Sequence, residues 1–223
     1  MSENPLSDAA RFVDALDREN RVRLDALGAQ SAAGDVPEVP ITGLLRIALK
    51  NELEATEVAA VWLASSEELD VKLALARQCG DEAKHYAWIE ERLHQLGDDL
   101  SGFDPRAPAP SPLSIYLQGL TSTVERAAAG PFTREAIAVV RNQVFVSFCA
   151  ARGDQATAAL YRDRIQPDEM HHHELGRRLL LKYALTKEAQ DRARVAARRT
   201  LEIADEIQEL ARLRAGISRA PGC

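Results

Sequence analysis

The run DEAKHY at residues 81–86 and the run PDEMHHHELG at residues 167–176 each contain a glutamate followed three residues later by a histidine. Side chains three residues apart share one face of an α-helix, so each run can present a carboxylate and an imidazole together. One candidate glutamate on an earlier predicted helix precedes each run. Four carboxylates and two imidazoles facing a bundle core are a typical site for two metal ions. The pattern therefore predicts six metal ligands: Glu52, Glu82, His85, Glu135, Glu169 and His172.

The spacing of apolar residues predicts an all-α fold. Apolar side chains recur at intervals of three and four along almost the whole chain, and the alternating β-branched runs of strands are missing. A segment rich in Pro and Gly, residues 101–112, separates two helical hairpins and indicates one long crossover between them. The predicted helices are Leu6–Leu27, Ile41–Ala64, Glu67–Leu96, Leu113–Ala129, Phe132–Ala151, Gln155–Ala184 and Lys187–Ala215.

The chain divides on this basis into three predicted parts. Residues 1–40 form an N-terminal helical arm with a loose linker over its last third, residues 41–185 form a four-helix bundle, and residues 186–223 form a fifth helix and a tail. Gly130 and Pro131 are expected to interrupt the chain before the third bundle helix, because proline lacks a backbone N–H. One apolar stripe on the fifth helix predicts packing on the bundle or on a second subunit, and we expect a homodimer.

Helical geometry tests each candidate in the first hairpin, because only an inward side chain can reach an ion in the core. Glu52 shares its face with a stripe of aliphatic residues. Glu82 lies at the centre of an apolar stripe, with His85 beside it. A further Glu-x-x-His pair, Glu91 and His94, lies half a rotation away and is expected on the solvent-exposed face.

The second hairpin leaves two choices open. His172 has the same offset from Glu169 as the first histidine has from its glutamate, and His173 is the alternative imidazole. Two glutamates, one on the third bundle helix and one in the segment before it, compete as the fourth carboxylate. An antiparallel hairpin brings Glu135 level with Glu169, which favours it, while Glu125 lies on a polar face beyond the Gly-Pro pair and stays the alternative.

No catalytic residue is predicted beyond the six ligands, but three residues are expected to surround them. Arg162, two helical turns before Glu169, is expected to pair with a ligand carboxylate, and His173 and Tyr86 are expected nearby. Pro167 falls inside a predicted helix, where it should cause a bend or a local bulge.

Composition excludes several classes of protein. The formal net charge of −6 and the absence of a long basic run disfavour a nucleic-acid-binding protein. Three widely spaced cysteines without a C-x-x-C pair exclude a rubredoxin or zinc-ribbon module within the chain and fit a reducing compartment. The N-terminus lacks the pattern of a signal peptide, and no apolar stretch approaches the ~20 residues of a membrane span. We therefore expect a cytoplasmic protein without a membrane partner.

Through these ligands and the two runs quoted above, the chain resembles the ferritin-like, carboxylate-bridged di-iron superfamily, to which rubrerythrin and ferritin belong. The likeness covers about residues 41–185. It implies a ferritin-like four-helix bundle with two iron ions as cofactor, or manganese or a mixed Mn/Fe pair. The implied roles are bridging for Glu82 and Glu169, and terminal for Glu52 with His85 and for Glu135 with His172.

Hard carboxylate oxygens and two imidazoles suit iron or manganese, and two adjacent irons can deliver two electrons to oxygen. We expect an oxidoreductase that activates O2 or peroxide, as an oxidase or monooxygenase of a small or lipophilic substrate. The chain lacks a Gly-x-Gly-x-x-Gly motif, so a separate reductase or ferredoxin is expected as electron donor. The alternatives are a ferroxidase or peroxide-scavenging protein resembling rubrerythrin or ferritin, and a tRNA-modifying hydroxylase of the same fold.

Overall fold

The structure is a computed structural model that describes residues 5–33, 39–215 and 220–222. Every regular element in these ranges is helical, which confirms the predicted all-α fold. Two π-helical segments, Ala128–Arg134 and Tyr161–Ile165, precede α6 and α8. The α-helices are α1 (Pro5–Ala33), α2 (Ile41–Ser65), α3 (Leu69–Gln95), α4 (Pro112–Gln118), α5 (Thr123–Ala127), α6 (Glu135–Ala151), α7 (Gln155–Leu160), α8 (Gln166–Tyr183) and α9 (Lys187–Ala215).

The bundle consists of two helical hairpins. A short turn at Ser66 joins α2 to α3, and the Ser66 backbone N–H and hydroxyl both donate to the carbonyl of Trp62, which caps α2. The second hairpin turns at Gly153, whose φ of 82° lies in the left-handed region that favours glycine. The Asp154 side chain then accepts a hydrogen bond from a backbone N–H in the first turn of α7 and starts that helix.

The terminal helices α1 and α9 pack on the bundle. Leu16 of α1 and Ala196 of α9 belong to the same buried apolar cluster as Trp62 of α2. Asn20 of α1 donates a buried hydrogen bond of 3.0 Å to the hydroxyl of Thr133. The predicted arm and fifth helix thus share a core with the bundle, and the division into three parts stays a prediction.

The predicted interruption at Gly130 and Pro131 is wrong. The chain is helical without a break through α5, the π-helical segment Ala128–Arg134 and α6. A π turn bonds residues five apart, and its wider backbone accommodates a proline that would disrupt an α-helix. Gly130 permits close packing, because a Cβ there would lie 2.6 Å from the Trp62 ring. Glu135 therefore lies inside a continuous helix and not near a helix start.

The second π-helical segment confirms the bulge predicted next to Pro167. A π turn contains an extra residue, which rotates the preceding side chains relative to α8. Tyr161 consequently faces the interior and is fully buried. The inward position predicted for Arg162 is wrong, since its guanidinium is exposed and pairs with Asp163 at 2.8 Å.

The connecting segments differ in smaller ways from the expectations. The predicted helix over residues 113–129 is split into α4 and α5, with residues 119–122 between them. Helix α1 extends into the predicted linker, and residues 34–38 of that linker lie outside the described ranges. No helix in the described part of the chain has both the length and the apolar character needed to cross a membrane.

Candidate metal centre

The six predicted ligands form one buried group, which we call the carboxylate–histidine cluster. No member is more than 2% exposed. Their ligand atoms fall into two overlapping sets of four, and within each set all four atoms lie within 4.8 Å of one another. This spacing is compatible with one ion in each set. The first set is Glu52, Glu82, His85 and Glu169, and the second is Glu82, Glu135, Glu169 and His172.

Several atoms inside the cluster have no hydrogen-bond partner among the described residues. An unpaired buried polar atom costs about 1–3 kcal/mol, so a concentration of such atoms requires an explanation. Cations bound between them, one in each ligand set, would give every one of these atoms a partner. The unpaired atoms are Nδ1 of His85 and His172 and Oε2 of Glu82, Glu135 and Glu169.

Both imidazoles direct Nδ1 towards the carboxylates. Nδ1 of His85 lies 3.5 Å from Glu52, 3.3 Å from Glu82 and 3.9 Å from Glu169. Nδ1 of His172 lies 3.5 Å from Glu82 and 3.6 Å from Glu169. Glu82 and Glu169 therefore approach both histidines, which is the position that a ligand shared by two ions requires.

Two aspartates that the sequence analysis missed support the histidines from outside the cluster. Oδ2 of Asp168 lies 3.3 Å from Nε2 of His85, and Oδ2 of Asp81 lies 3.3 Å from Nε2 of His172. Each aspartate belongs to one Glu-x-x-His run and contacts the histidine of the other. A carboxylate on the second ring nitrogen fixes the tautomer and orientation of a metal-binding histidine. The repeated Asp-Glu-x-x-His spacing was the available signal.

Glu135 has two hydrogen-bond donors that the sequence analysis also missed. Its Oε1 accepts a bond of 2.8 Å from Nε2 of Gln78 and one of 2.9 Å from Nη1 of Arg134. The same donors lie 3.4 Å and 3.8 Å from Oε1 of Glu82. Gln78 comes from α3 and Arg134 from the first π-helical segment, so nothing in the local sequence of Glu135 identified Gln78.

Burial and mutual charge set the protonation of the cluster. Burial raises the pKa of Glu52, and burial with the charges of neighbouring carboxylates raises the pKa of Glu169 well above its usual value. Burial opposes protonation of the imidazoles, but the carboxylates outweigh it and raise the pKa of His85 to about 12 and that of His172 to about 9. Burial also opposes ionisation of Glu82, yet the nearby His85 and other cationic groups lower its pKa. Protons thus balance the carboxylates, and metal uptake would release them.

The C-terminal segment, residues 220–222, lies beside Glu52. The backbone N–H of Gly222 donates to Oδ1 of Asn142 at 2.8 Å, and Nδ2 of Asn51 donates to the carbonyl of Pro221 at 3.3 Å. Pro221 and Gly222 are buried. A Cβ built on Gly222 would lie 3.7 Å from Oε1 of Glu52. The tail therefore closes the Glu52 side of the cluster.

Tyr161 is a further buried polar group beside the cluster. Its hydroxyl has no hydrogen-bond partner among the residues described. Burial raises the pKa of this phenol well above its usual value, and the charges of Glu52 and Glu169 add to the shift. The π-helical rotation that brings Tyr161 inward could not be read from apolar periodicity.

The other candidates lie outside the cluster. Glu125 pairs with Arg192 at 3.1 Å, so the structure brings Glu135 and not Glu125 into the cluster. Nδ1–H of His173 donates to the backbone carbonyl of Phe132 at 2.7 Å. Tyr86 is half-buried, and its pKa is raised by burial and then by the charges of Glu90 and Asp104. As expected, the other Glu-x-x-His pair is exposed: Glu91 and His94.

An apolar cavity of about 110 Å³ lies next to the tail. Ile207 of α9 contributes to its apolar wall, and Arg141 is among its polar lining residues. Asn51 and Pro221, which hold the tail beside Glu52, also line the cavity. The tail consequently lies between this cavity and the cluster.

The donor set fits the predicted metals. Carboxylate oxygens with imidazole nitrogens suit iron or manganese, and the two cysteines in the described ranges are not among the clustered ligands. The bare Nδ1 and Oε2 atoms would hold the ions.

Comparisons with known proteins add one partial similarity. No family model matches the chain, and no solved structure matches it. A 3-demethoxyubiquinol 3-hydroxylase of Aromatoleum aromaticum is 33% identical over 72 residues, which are 32% of this chain and 35% of that protein. The match thus spans about a third of the relative's length. Similarity to a hydroxylase and a buried carboxylate–histidine cluster together fit a ferritin-like di-iron fold.

Proposed function

We propose that the chain binds two iron ions in the carboxylate–histidine cluster and uses O2 to hydroxylate a small or lipophilic substrate. The observation that carries the proposal is the pair of overlapping four-residue ligand sets with bare inward atoms. The partial similarity to a hydroxylase supports the same reaction class. The reaction requires a metal that exchanges electrons with oxygen, which iron supplies, and manganese stays the alternative.

Each part of the cluster has a proposed role. Glu82 and Glu169 belong to both sets and would be shared by the ions. Glu52 with His85, and Glu135 with His172, would each complete one set. Two bound irons would supply the two electrons that reduce oxygen.

The surroundings of the cluster suit a reaction that must exclude water. All six ligands are buried, and the tail covers the side next to the apolar cavity. Exclusion of water protects reactive species from side reactions. The cavity is the proposed approach for an apolar substrate. A separate reductase or ferredoxin, and a homodimer, stay predictions.

The test starts with protein purified without oxygen. We expect two iron ions per chain by metal analysis, a change in the visible spectrum on addition of O2, and a hydroxylated product when reductant and substrate are present. The name of the relative makes 3-demethoxyubiquinol the first substrate to test. A matched control replaces the exposed pair, Glu91→Gln with His94→Gln, and should keep both ions.

Two results would contradict the proposal. Protein that takes up fewer than two iron ions per chain under anaerobic conditions would contradict the di-iron site. Protein that binds two irons but consumes peroxide or Fe(II) without hydroxylating any substrate would instead favour a peroxide-scavenging or ferroxidase function.

A further inference from the structure

We propose that Gln78 and Arg134 restrict Glu135 to a single metal-coordinating oxygen, so that the two ion positions in the cluster are unequal. The inference rests on the proposed function only in assuming that two ions bind. It concerns the order and strength of their binding. The ion next to His172 and Glu135 is the weaker one.

The restriction follows from the hydrogen bonds of Glu135. Both donors bind the same oxygen, Oε1, at 2.8 Å from Gln78 and 2.9 Å from Arg134. The other oxygen, Oε2, is buried and has no partner among the described residues. Oε1 would have to break two buried hydrogen bonds, one of them from the guanidinium of Arg134, before it could bind an ion. Glu135 therefore offers Oε2 alone.

Glu52, the corresponding residue of the other half, has no such donors within the described ranges. The amide of its neighbour Asn51 donates instead to the carbonyl of Pro221. Gly222, which lies next to Oε1 of Glu52, has no side chain to donate a hydrogen bond. Glu52 is therefore free to use one or both oxygens.

Charge also makes ion binding at the two positions unequal. Four glutamates balance two divalent ions, and the guanidinium of Arg134 adds a permanent positive charge. This charge lies against Glu135 and 3.8 Å from Glu82, with the Arg134 side chain only 10% exposed. Like charges in a buried environment repel strongly, because water does not screen them. The ion next to Glu135 thus loses one ligand oxygen and meets a cation.

The experiment is a titration of metal-free protein with Co²⁺, followed by calorimetry and visible absorption. The wild-type chain should bind two ions in two steps, with dissociation constants at least about tenfold apart. The double variant Gln78→Leu/Arg134→Leu frees Oε1 and removes the charge. In this variant the dissociation constant of the weaker site should fall by about tenfold, towards that of the stronger site. The absorption per cobalt should also fall, since the extra oxygen raises the coordination number.

Single variants assign each of the two binding steps to one ion position. His172→Ala should remove the weaker step, and His85→Ala should remove the stronger one. Arg92→Leu is the matched control, because Arg92 also pairs with a largely buried acid, Asp154 at 2.7 Å, but lies outside the cluster. It should leave both constants and the spectrum unchanged.

The inference is overturned if wild-type protein binds two ions with equal constants, or if His85→Ala removes the weaker step. It is also overturned if the double variant keeps the wild-type constants and spectrum, or if a folded double variant loses the second ion. Circular dichroism shows whether the double variant folds. If it does not, Gln78→Leu alone is tested by the same criteria, with a smaller expected shift in the dissociation constant of the weaker site. Wild-type protein that does not bind two ions would contradict the proposed function itself.

Discussion

The two halves of the carboxylate–histidine cluster offer similar ligands but have different surroundings. One half contains Glu135, whose Oε1 accepts hydrogen bonds from Gln78 of α3 and from its chain neighbour Arg134. The other half contains Glu52, which lies next to the tail at Gly222. The repeated motif thus determines which donors are present. The residues around them determine how each half differs in rigidity, charge and access.

The two halves of the cluster also differ in how they are enclosed by the rest of the chain. The half with Glu135 is enclosed by the first π-helical segment, whose seven residues are all buried. Beside the half with Glu52, Pro221 lines the apolar cavity and Gly222 lies next to Oε1 of Glu52, so the tail borders both. A molecule that enters through the cavity would therefore meet the Glu52 half first.

Loss of a shared ligand should have the largest effect. We expect Glu82→Gln, which removes a carboxylate common to both ligand sets, to lower metal content from two ions to fewer than one per chain. Glu52→Gln, which affects one set, should retain about one ion. Metal analysis after removal of excess ion measures both.

The matched control for these variants is Glu54→Gln. Glu54 is also a buried glutamate of α2, but it bonds to Ser111 and to Lys50 and lies outside the cluster. It should keep two ions. Equal losses for Glu82→Gln and Glu52→Gln would show that the cluster binds as one unit and would end the comparison between halves.

Removal of the supporting aspartates should have the next largest effect. Asp81→Asn should lower the affinity for the ion bound by His172, and Asp168→Asn should lower the affinity for the ion bound by His85. Each affinity should fall by about 10–100-fold. Asp81 should have the larger effect, because its side chain is 5% exposed while that of Asp168 is 26% exposed. Competition with a chelator measures both constants. If each substitution instead weakened binding of the ion next to the histidine of its own run, the arrangement in which each aspartate supports the histidine of the other run would be contradicted.

Deletion of residues 220–223 tests access to the Glu52 half. The truncated protein should release iron to a chelator faster, on the order of several-fold, because a segment that covers a site limits exchange. Stopped-flow absorbance measures the rate. Leu213→Ala, at an exposed position of α9, is the control and should release iron at the wild-type rate. An unchanged rate after truncation would mean that ions leave by another route.

The grouping of the six predicted ligands on buried helix faces could be predicted because it depends on local periodicity. A glutamate and a histidine three residues apart face the same way in any α-helix, and apolar neighbours show which face is buried. The exposed pair, Glu91 and His94, was separated from the cluster by the same geometry.

Two kinds of feature could not be predicted: the direction of the side chains within π-helical turns, and contacts between residues far apart in the sequence. The π-helical segments change the rotation per residue, so counting at 100° placed Arg162 inward where the structure places Tyr161. The contacts of Gln78 with Glu135 and of Gly222 with Asn142 join residues far apart in sequence. Such contacts depend on packing between helices, which periodicity within one helix does not contain.

The smallest effect concerns the two helices that carry the Glu-x-x-His pairs. Gly176 of α8 lies against the first π-helical segment, and a Cβ there would lie 2.2 Å from the backbone nitrogen of Phe132. Backbone atoms cannot move aside as side chains do, so Gly176→Ala should lower the free energy of unfolding by about 1–3 kcal/mol. Each kcal/mol corresponds to a fall in Tm of roughly 2–4 °C for a chain of this size.

Gly80 of α3 is the matched control, since a Cβ there would meet nothing within 4 Å. Gly80→Ala should raise the free energy of unfolding by up to ~1 kcal/mol, because alanine has a higher helix propensity than glycine at an exposed helix position. Thermal unfolding of both metal-free variants measures the difference. Opposite signs would show that only α8 depends on close backbone contact, so that the half containing Glu135 is the more rigidly packed. Equal and small shifts would mean that the π-helical segment can move away from α8, and would remove the structural basis for a fixed Glu135.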